Sequence, residues 1–327
     1  MAISNNYQVK SDVIVNIGTE VTMGTACSPA DGTWHTIDCT DFTISENTAP
    51  LEIAPQRSGI LGQGTHQAKH SKDKQTFEIE LQFNGSPSAI NRITTALYGV
   101  GDGTNALTGA LPSVKKYEHG VANAVPITLH FEKAGHDGAK DLIYKSCLCT
   151  GLSFNYGLSD GGVLKCSAKF MTAYNPTEAT HDSPADTSGS ITDTLGTPLN
   201  FHDVDVHTID SGDVLMSDFS VDISRSVSVT AFDVANGLPS GYSIGGYEVT
   251  GSITCKRDAQ SDAVEMNDST GKAIAVADTD IGFSLPTAMI ESASTSTGDP
   301  AWNTTFNFRG MYSGTDETST IVSIKTA

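Results

Sequence analysis

The sequence predicts a mainly β protein built as two tandem β-sandwich or barrel domains, each flanked by a short helix, and three observations predict it. Composition is the first: 31 Gly in 327 residues, charged residues at only 17% and abundant Ser and Thr favour strands and turns over helices. Strict alternation is the second. Phe77, Ile79, Leu81 and Phe83 alternate with Glu78, Glu80 and Gln82, and Tyr247, Val249 and Ile253 alternate with Glu248, Thr250, Ser252 and Thr254. A period of two sends one set of side chains into a core and the other to solvent or an interface. Recurrence is the third: DFTISE at Asp41 returns as DFSVDIS at Asp218, and KFMTAY ending at Tyr174 returns as NFRGMY ending at Tyr312. A repeat this long, in a chain longer than one core usually serves, implies two domains rather than a solenoid of small units.

Taken in order, SDVIVNIG makes a first strand apolar on nearly both faces, and SPADGTW supplies Pro and Gly for a reversal. Phe42 and Ile44 open a second strand. From Ala54 to Lys74 nothing alternates, and Arg57, His66, Lys69, His70, Lys72 and Lys74 gather positive charge in an acidic protein. Long aperiodic loops inside compact domains are usually functional, and this one reads as an arm that orders against a partner. Ser86 and Pro87 start a helix whose apolar positions are Ile90, Ile93, Leu97 and Tyr98, and Gly99 ends it. VPITLHF pairs, at the matching stage of the second half, with DIGFSLP; SDAVEMNDSTGKAIAVA offers a weaker helical counterpart interrupted by Gly271. The stretch from Asn175 to Asn200, rich in Pro, Thr, Ser and Asp, reads as a linker between a first domain at residues 1–174 and a second at 201–327.

The net charge of -19 argues against a binder that works by neutralising phosphates. It is also lopsided: residues 1–175 hold 13 Lys and Arg against 16 Asp and Glu, whereas 176–327 hold 6 against 22. Such a surface reads first as a device for solubility and, in the sharper reading, as one that repels polyanions rather than binding them. MAISNNYQVKSDVIV has no signal-peptide pattern and no later run approaches a membrane span, so a cytosolic origin and six reduced cysteines are expected. Cys147 and Cys149 form a C-x-C pair that reads as buried small hydrophobes rather than metal ligands.

The search for chemistry points away from an enzyme. GLSDG at Gly157 and GYSIG at Gly241 match the G-x-S-x-G nucleophile pattern, but that serine needs a strand-to-helix turn, and GLSDG sits between two strand-like runs. In FHDVDVH, Asp203, Asp205 and His207 share one strand face, as solvent-facing alternation would also place them. No phosphate loop, dinucleotide fingerprint or cysteine framework is present, and no cofactor is expected.

The residues SDFSVDISRSVSV followed by GGYEVTGSITCKRD, with TDFTISENTAPLEIAPQRSG, KQTFEIELQFNG and the helix SPSAINRITTALYG in the first half, resemble the tail tube proteins of long-tailed bacteriophages of the kind whose chain carries two fused tube domains. The resemblance implies rings, three chains giving six similar domains, stacked into a hollow virion tail through which double-stranded DNA passes without specific binding. It also implies tail terminator, tape measure and tail-tip proteins as partners, and a long loop in each domain reaching the next ring. Carried onto this sequence, those loops are Ile53 to Lys74 and Phe232 to Gly246, the latter with Phe232, Asp233 and Tyr242. Lumen-lining candidates are Glu78, Glu80, Gln82, Glu248, Thr250, Ser252 and Thr254. From a different class, a secreted or surface binding module would use Trp34 and Trp302 to stack on sugars; another virion protein, a decoration or baseplate component, is the third reading.

Overall fold

The structure, a computed structural model, describes residues 13–20, 23–27, 34–53, 67–98, 113–116, 126–133, 140–158, 161–180, 197–201, 204–232, 239–258, 261, 264, 271–278, 281–297, 302–311 and 323–326. The protein is mainly β. In the first half lie β1 (Val13–Thr19), β2 (Trp34–Ile37), β3 (Cys39–Ile53), β4 (Gln67–Asn84), β5 (Ser113–Lys116), β6 (Ile127–Lys133), β7 (Lys140–Gly157), β8 (Lys165–Thr172) and β9 (Thr177–Thr180), with the helix α1 (Pro87–Tyr98) after β4. Then come β10 (Val206–Ile209), β11 (Gly212–Asp213), β12 (Met216–Phe232), β13 (Pro239–Lys256), β14 (Lys272–Ala277), β15 (Ile281–Ser296), β16 (Asn303–Gly310) and β17 (Ser323–Thr326).

Every strand pairing among the described residues is antiparallel, and the two halves pair in the same order. In the first, β2–β1–β6–β7–β9 form one layer and β3–β4–β8–β7 the other. In the second, β11–β10–β14–β15–β17 and β12–β13–β16–β15 repeat both. One long bent strand, β7 or β15, belongs to both layers of its half. Ser146, at φ 52, sits in the bend of β7, and a left-handed residue there lets an extended strand change sheets.

The irregularities repeat as well. The hairpin ladders slip between Cys39 and Asp41 and, equivalently, between Met216 and Asp218. The ladders of β7 with β8 and β15 with β16 slip between Cys149 and Gly151 and between Ile290 and Ser292. Those of β6 with β7 and β14 with β15 slip at Ile127/Leu129 and Lys272/Ile274. Bulges are specific features of a sheet, so three at matched places fix the correspondence between halves residue by residue. Phe170 and Phe308 correspond, as the recurrence of their strands predicts. VPITLHF corresponds not to DIGFSLP but to KAIAVA, which is β14 and not a helix, preceded by Gly271 at φ 72. DIGFSLP opens β15. Tyr247 likewise is not the partner of Phe77; register makes Val249 that residue.

Alternation drives burial as the sequence predicts. Phe77, Ile79, Leu81 and Phe83 are buried beneath β4, and Phe219, Val221 and Ile223 beneath β12. Where Ile79 packs on Phe170, the second half has Gly251 beneath Phe308, whose ring would meet an added Cβ at 2.6 Å. Apolar side chains of both halves join one core cluster. In α1 the Ser86 hydroxyl accepts a hydrogen bond from the Ala89 N–H at 3.4 Å, and Ile90, Ile93, Ala96 and Leu97 face the core.

Two stretches read as loop and linker are partly strand. Gln67–Lys74 belongs to β4, with His70 opposite Pro50 and Lys69 opposite Leu51, because β3 runs on to Ile53 and the hairpin continues where side-chain alternation stops. Backbone pairing through N–H and C=O groups does not itself require apolar alternation of the side chains. Within Asn175–Asn200, Thr177–Thr180 is β9, and Leu199 is buried, its N–H donating to the Gly85 carbonyl at 2.9 Å.

Candidate functional site

The two halves meet through their backbones. Asp218–Ser224 of β12 pair with Gly157–Gly151 of β7, so that β3, β4, β8, β7, β12, β13, β16 and β15 run side by side as an eight-stranded array. Residues directly opposite in a ladder share a face. One row across the array is Gln82, Ser167, Ser153, Asp222, Thr250 and Arg309; the next runs through Lys165, Asn155, Ser220, Ser252 and Asn307. All seven lumen-lining candidates, Glu78, Glu80 and Gln82 on β4 and Glu248, Thr250, Ser252 and Thr254 on β13, therefore lie on one face, the two groups 166 or more residues apart in sequence yet in one sheet.

That face is not uniformly negative. Asp41, Glu78, Glu80, Asp218, Asp222 and Glu248 share it with Lys165, Lys169 and Arg309. Arg309 lies 3.3 Å from Glu248 and 3.0 Å from Glu291, and Lys169 lies 4.0 Å from Glu80. A cleft of about 160 Å³ opens there between Thr43, Ser45, Glu78, Glu80, Thr150 and Lys169, smaller than the pockets that enclose small molecules.

The outer strands of the array carry the main asymmetry between halves. Phe219, Val221 and Ile223 of β12 are fully buried because β7 covers that edge; their counterparts on β3, Phe42, Ile44 and Glu46, are half-buried or exposed. Leu152, Phe154 and Tyr156 of β7 are buried by β12, and their counterparts on and just past β15, Ala293, Thr295 and Thr297, are exposed. Among the described residues, β3 pairs only with β4, and residues 289–296 of β15 pair only with β16.

A polar lock reinforces the joint. The Arg225 guanidinium, from β12, donates to the Cys149 carbonyl at 2.7 Å, the Leu97 carbonyl at 2.9 Å and the Tyr247 hydroxyl at 2.9 Å; that hydroxyl in turn donates to the Leu97 carbonyl. A cation thus caps carbonyls that the end of α1 leaves unpaired. Burial pushes the Cys149 thiol beside it up to about 12, although the guanidinium pulls the other way.

At the bend of β7, Glu20 is buried and accepts hydrogen bonds from the Ser146 N–H, the Ser146 hydroxyl at 2.8 Å and the Thr128 hydroxyl at 2.8 Å. Loss of hydration nevertheless holds its carboxyl above the usual range. Nearby, the tip of the β12–β13 hairpin leans on the first half, the Tyr174 hydroxyl donating to the Pro239 carbonyl at 2.8 Å.

Of the arm candidates, Arg57, His66 and Asp233 lie outside the described residues. Lys69, His70, Lys72 and Lys74 are on β4, and Phe232 ends β12 opposite Pro239. Tyr242, on β13, is half-buried beside Ala173 and Tyr174 of the same chain, and burial pushes its hydroxyl up. GYSIG falls inside β13; of GLSDG, Gly157 ends β7 and Gly161, at φ 80, precedes β8, while Ser159 and Asp160 lie outside the described residues. Asp205 immediately precedes β10, His207 lies on it and Asp203 is outside the described residues; no group of three or more potential metal ligands occurs among those described. None of the six cysteines is joined to another in a disulfide. Trp34 is completely buried, so of the two tryptophans only Trp302 could stack on a sugar. Compared with known protein families the chain matches no family model, and compared with curated proteins it matches none.

Proposed function

We propose that this chain is a structural protein whose activity is polymerisation: two tandem β domains, residues 1–174 and 201–327, that continue edge to edge from chain to chain into a closed ring, the rings stacking into the tail tube of a long-tailed bacteriophage. The observation that carries this is the joint of β7 with β12. The outward edges of β15 and β3 are the counterparts of the two strands that meet there, so a second copy can repeat the same step with the same register. An interface that uses two different patches propagates head to tail and closes into a ring when its rotation allows. Three chains would give six domains and a continuous polar wall, which becomes the lumen through which DNA passes, while tail terminator, tape measure and tail-tip proteins bound the stack. The protein would be made in the host cytoplasm and function in the virion tail, without catalysis or cofactor.

The register makes the reading testable. Asp222 faces Ser153 across the joint, so Ser45 of one chain should face Ser294 of its neighbour. Directly opposed Cβ atoms lie about 4.5–5.5 Å apart, close enough for a disulfide. The double variant Ser45→Cys, Ser294→Cys should oxidise into a closed covalent trimer on assembly, whereas Ser45→Cys, Thr295→Cys, one residue out of register, should not. Monomers by negative-stain microscopy, with no cross-link from either variant, would sink the proposal and favour a monomeric binding module.

A further inference from the structure

The correspondence between halves extends past the ends of the strands and exposes a site filled in one half and open in the other. At one end of the array, the Gly85 N–H donates to the Leu164 carbonyl at 2.7 Å, and at the corresponding place the Arg257 N–H donates to the Trp302 carbonyl at 2.8 Å. Beside these bonds, the Asn84 N–H donates to the Asp38 carbonyl at 3.3 Å, as the Lys256 N–H donates to that of Leu215 at 2.8 Å. The backbone frame is the same.

What lies on it differs. In the first half the segment leading into β10 crosses this corner: the Leu199 N–H donates to the Gly85 carbonyl at 2.9 Å, the Leu164 N–H to the Leu199 carbonyl at 2.9 Å, and the Phe201 N–H to the Gly162 carbonyl at 2.6 Å. Asn200 bridges Val163. Leu199 and Leu164 are buried there, at 5% and 0% exposure. In the second half the counterpart of Leu164 is Trp302, exposed at 55%, its ring held 5.4 Å from the Arg257 guanidinium, with Leu215 exposed at 57% nearby. Large apolar side chains at that exposure, on a frame that elsewhere holds a peptide, are a docking surface wanting its occupant.

The occupant follows from the chain's own repeat. Leu199–Phe201 precede β10, and β10 corresponds to β1 through Ile209 and Ile17, which pair with the equivalent residues Ile274 and Leu129. Ten residues before Ile209 is Leu199; ten before Ile17 is Tyr7. The two segments read Leu-Asn-Phe-His and Tyr-Gln-Val-Lys: apolar, amide, apolar, basic. If the step from first half to second is repeated between chains, the segment before β1 of one chain arrives at the Trp302 corner of the chain before it. We propose that Tyr7–Val9, which lie outside the described residues, seat on the Arg257–Trp302 corner of the neighbouring chain as an added extended segment and cover Trp302. This rests on the ring reading above and names the part of the partner copy that completes the contact.

Intrinsic fluorescence tests it, because Trp34 is completely buried and only Trp302 is open to solvent. In the full chain, acrylamide quenching should fall several-fold from monomer to assembled particle, with a blue shift in emission. Assembled Tyr7→Ser, Val9→Ser particles should keep the monomer's quenching. Wild-type particles in which Trp302 stays open to quencher overturn this proposal and leave the ring reading standing. Shielding that survives in the double variant overturns it too, since another segment then covers the site. If the double variant folds but does not assemble, Trp302→Ala decides: it should lose assembly likewise, and unimpaired assembly overturns the proposal. A wild-type chain that never leaves the monomer, with no Ser45–Ser294 cross-link, removes the ring reading and this contact together.

Discussion

Arg225 joins the halves through the Cys149 and Leu97 carbonyls, and nothing adjacent in sequence announces it: in SRSVSV it reads as one more polar residue on a half-exposed strand, yet Leu97, which it reaches, lies 128 residues away. Replacing it with Met leaves buried carbonyls at the end of α1 unpaired, and hydrogen bonds to a charged group are each worth about 1.5–3 kcal/mol. Arg225→Met should therefore lower the urea-unfolding free energy by about 3 kcal/mol, with Arg225→Lys recovering only part because an ammonium lacks the planar fork; a loss under about 1 kcal/mol would show that the lock is dispensable. Glu20 makes a prediction in pH. Its folded carboxyl is raised above its unfolded value of 4.5, chiefly by burial, so the folded state binds the proton more tightly. Stability contributed by this group is highest below the unfolded value and falls as pH rises from there through the folded value. Glu20→Gln removes that term, so wild-type melting temperature should drop relative to the variant's between mild acid and neutral pH; parallel profiles would contradict the assignment.

At the scale of elements, the hairpins β3–β4 and β12–β13 were legible because Phe, Val and Ile alternate with Ser, Glu and Thr, and α1 was legible from Ser86 and its apolar spacing. β14 was not: in AIAVA the less buried positions on either side of Ile274 are filled by Ala273 and Ala275, so no polar alternation marks the strand, and its short apolar run fits a helix as readily as a strand. The polar face was found as two separate strips, but not that they belong to one sheet, since that depends on backbone pairing between β7 and β12. The edge of β15 carries its own prediction. Thr295 is exposed, whereas its counterpart Phe154 is buried with its ring 4.8 Å from that of Phe283. A charged side chain on an edge strand blocks further pairing without touching the core. Thr295→Lys should leave monomer stability within about 0.5 kcal/mol of the parent and abolish particles in sedimentation velocity, and particles of normal size would mean that β15 is not the joining edge.

On the proposed tube reading the polar face meets a moving polyanion, and its charges decide how the two interact. Composition predicts repulsion, and the structure adds a correction: Arg309 sits between Glu248 and Glu291, and Lys169 beside Glu80, so these carboxylates also mask cations. In the middle of the array Ser153, Ser220 and Ser252 lie among Asp218 and Asp222, which give a phosphate backbone no fixed cation to hold. Neutralising Glu78, Glu80 and Glu248 to Gln should therefore do more than weaken repulsion; it should uncover Arg309 and Lys169 around the ring and turn the wall adhesive. Because each phosphate neutralised by Lys or Arg releases counterions, such adhesion falls steeply with salt. Particles carrying the triple variant should pass or release DNA more slowly than the parent at low ionic strength and converge with it at high ionic strength. Equal rates at both would mean that this face does not meet the DNA, and would move the lumen to the other layer, where β1, β6 and β14 lie.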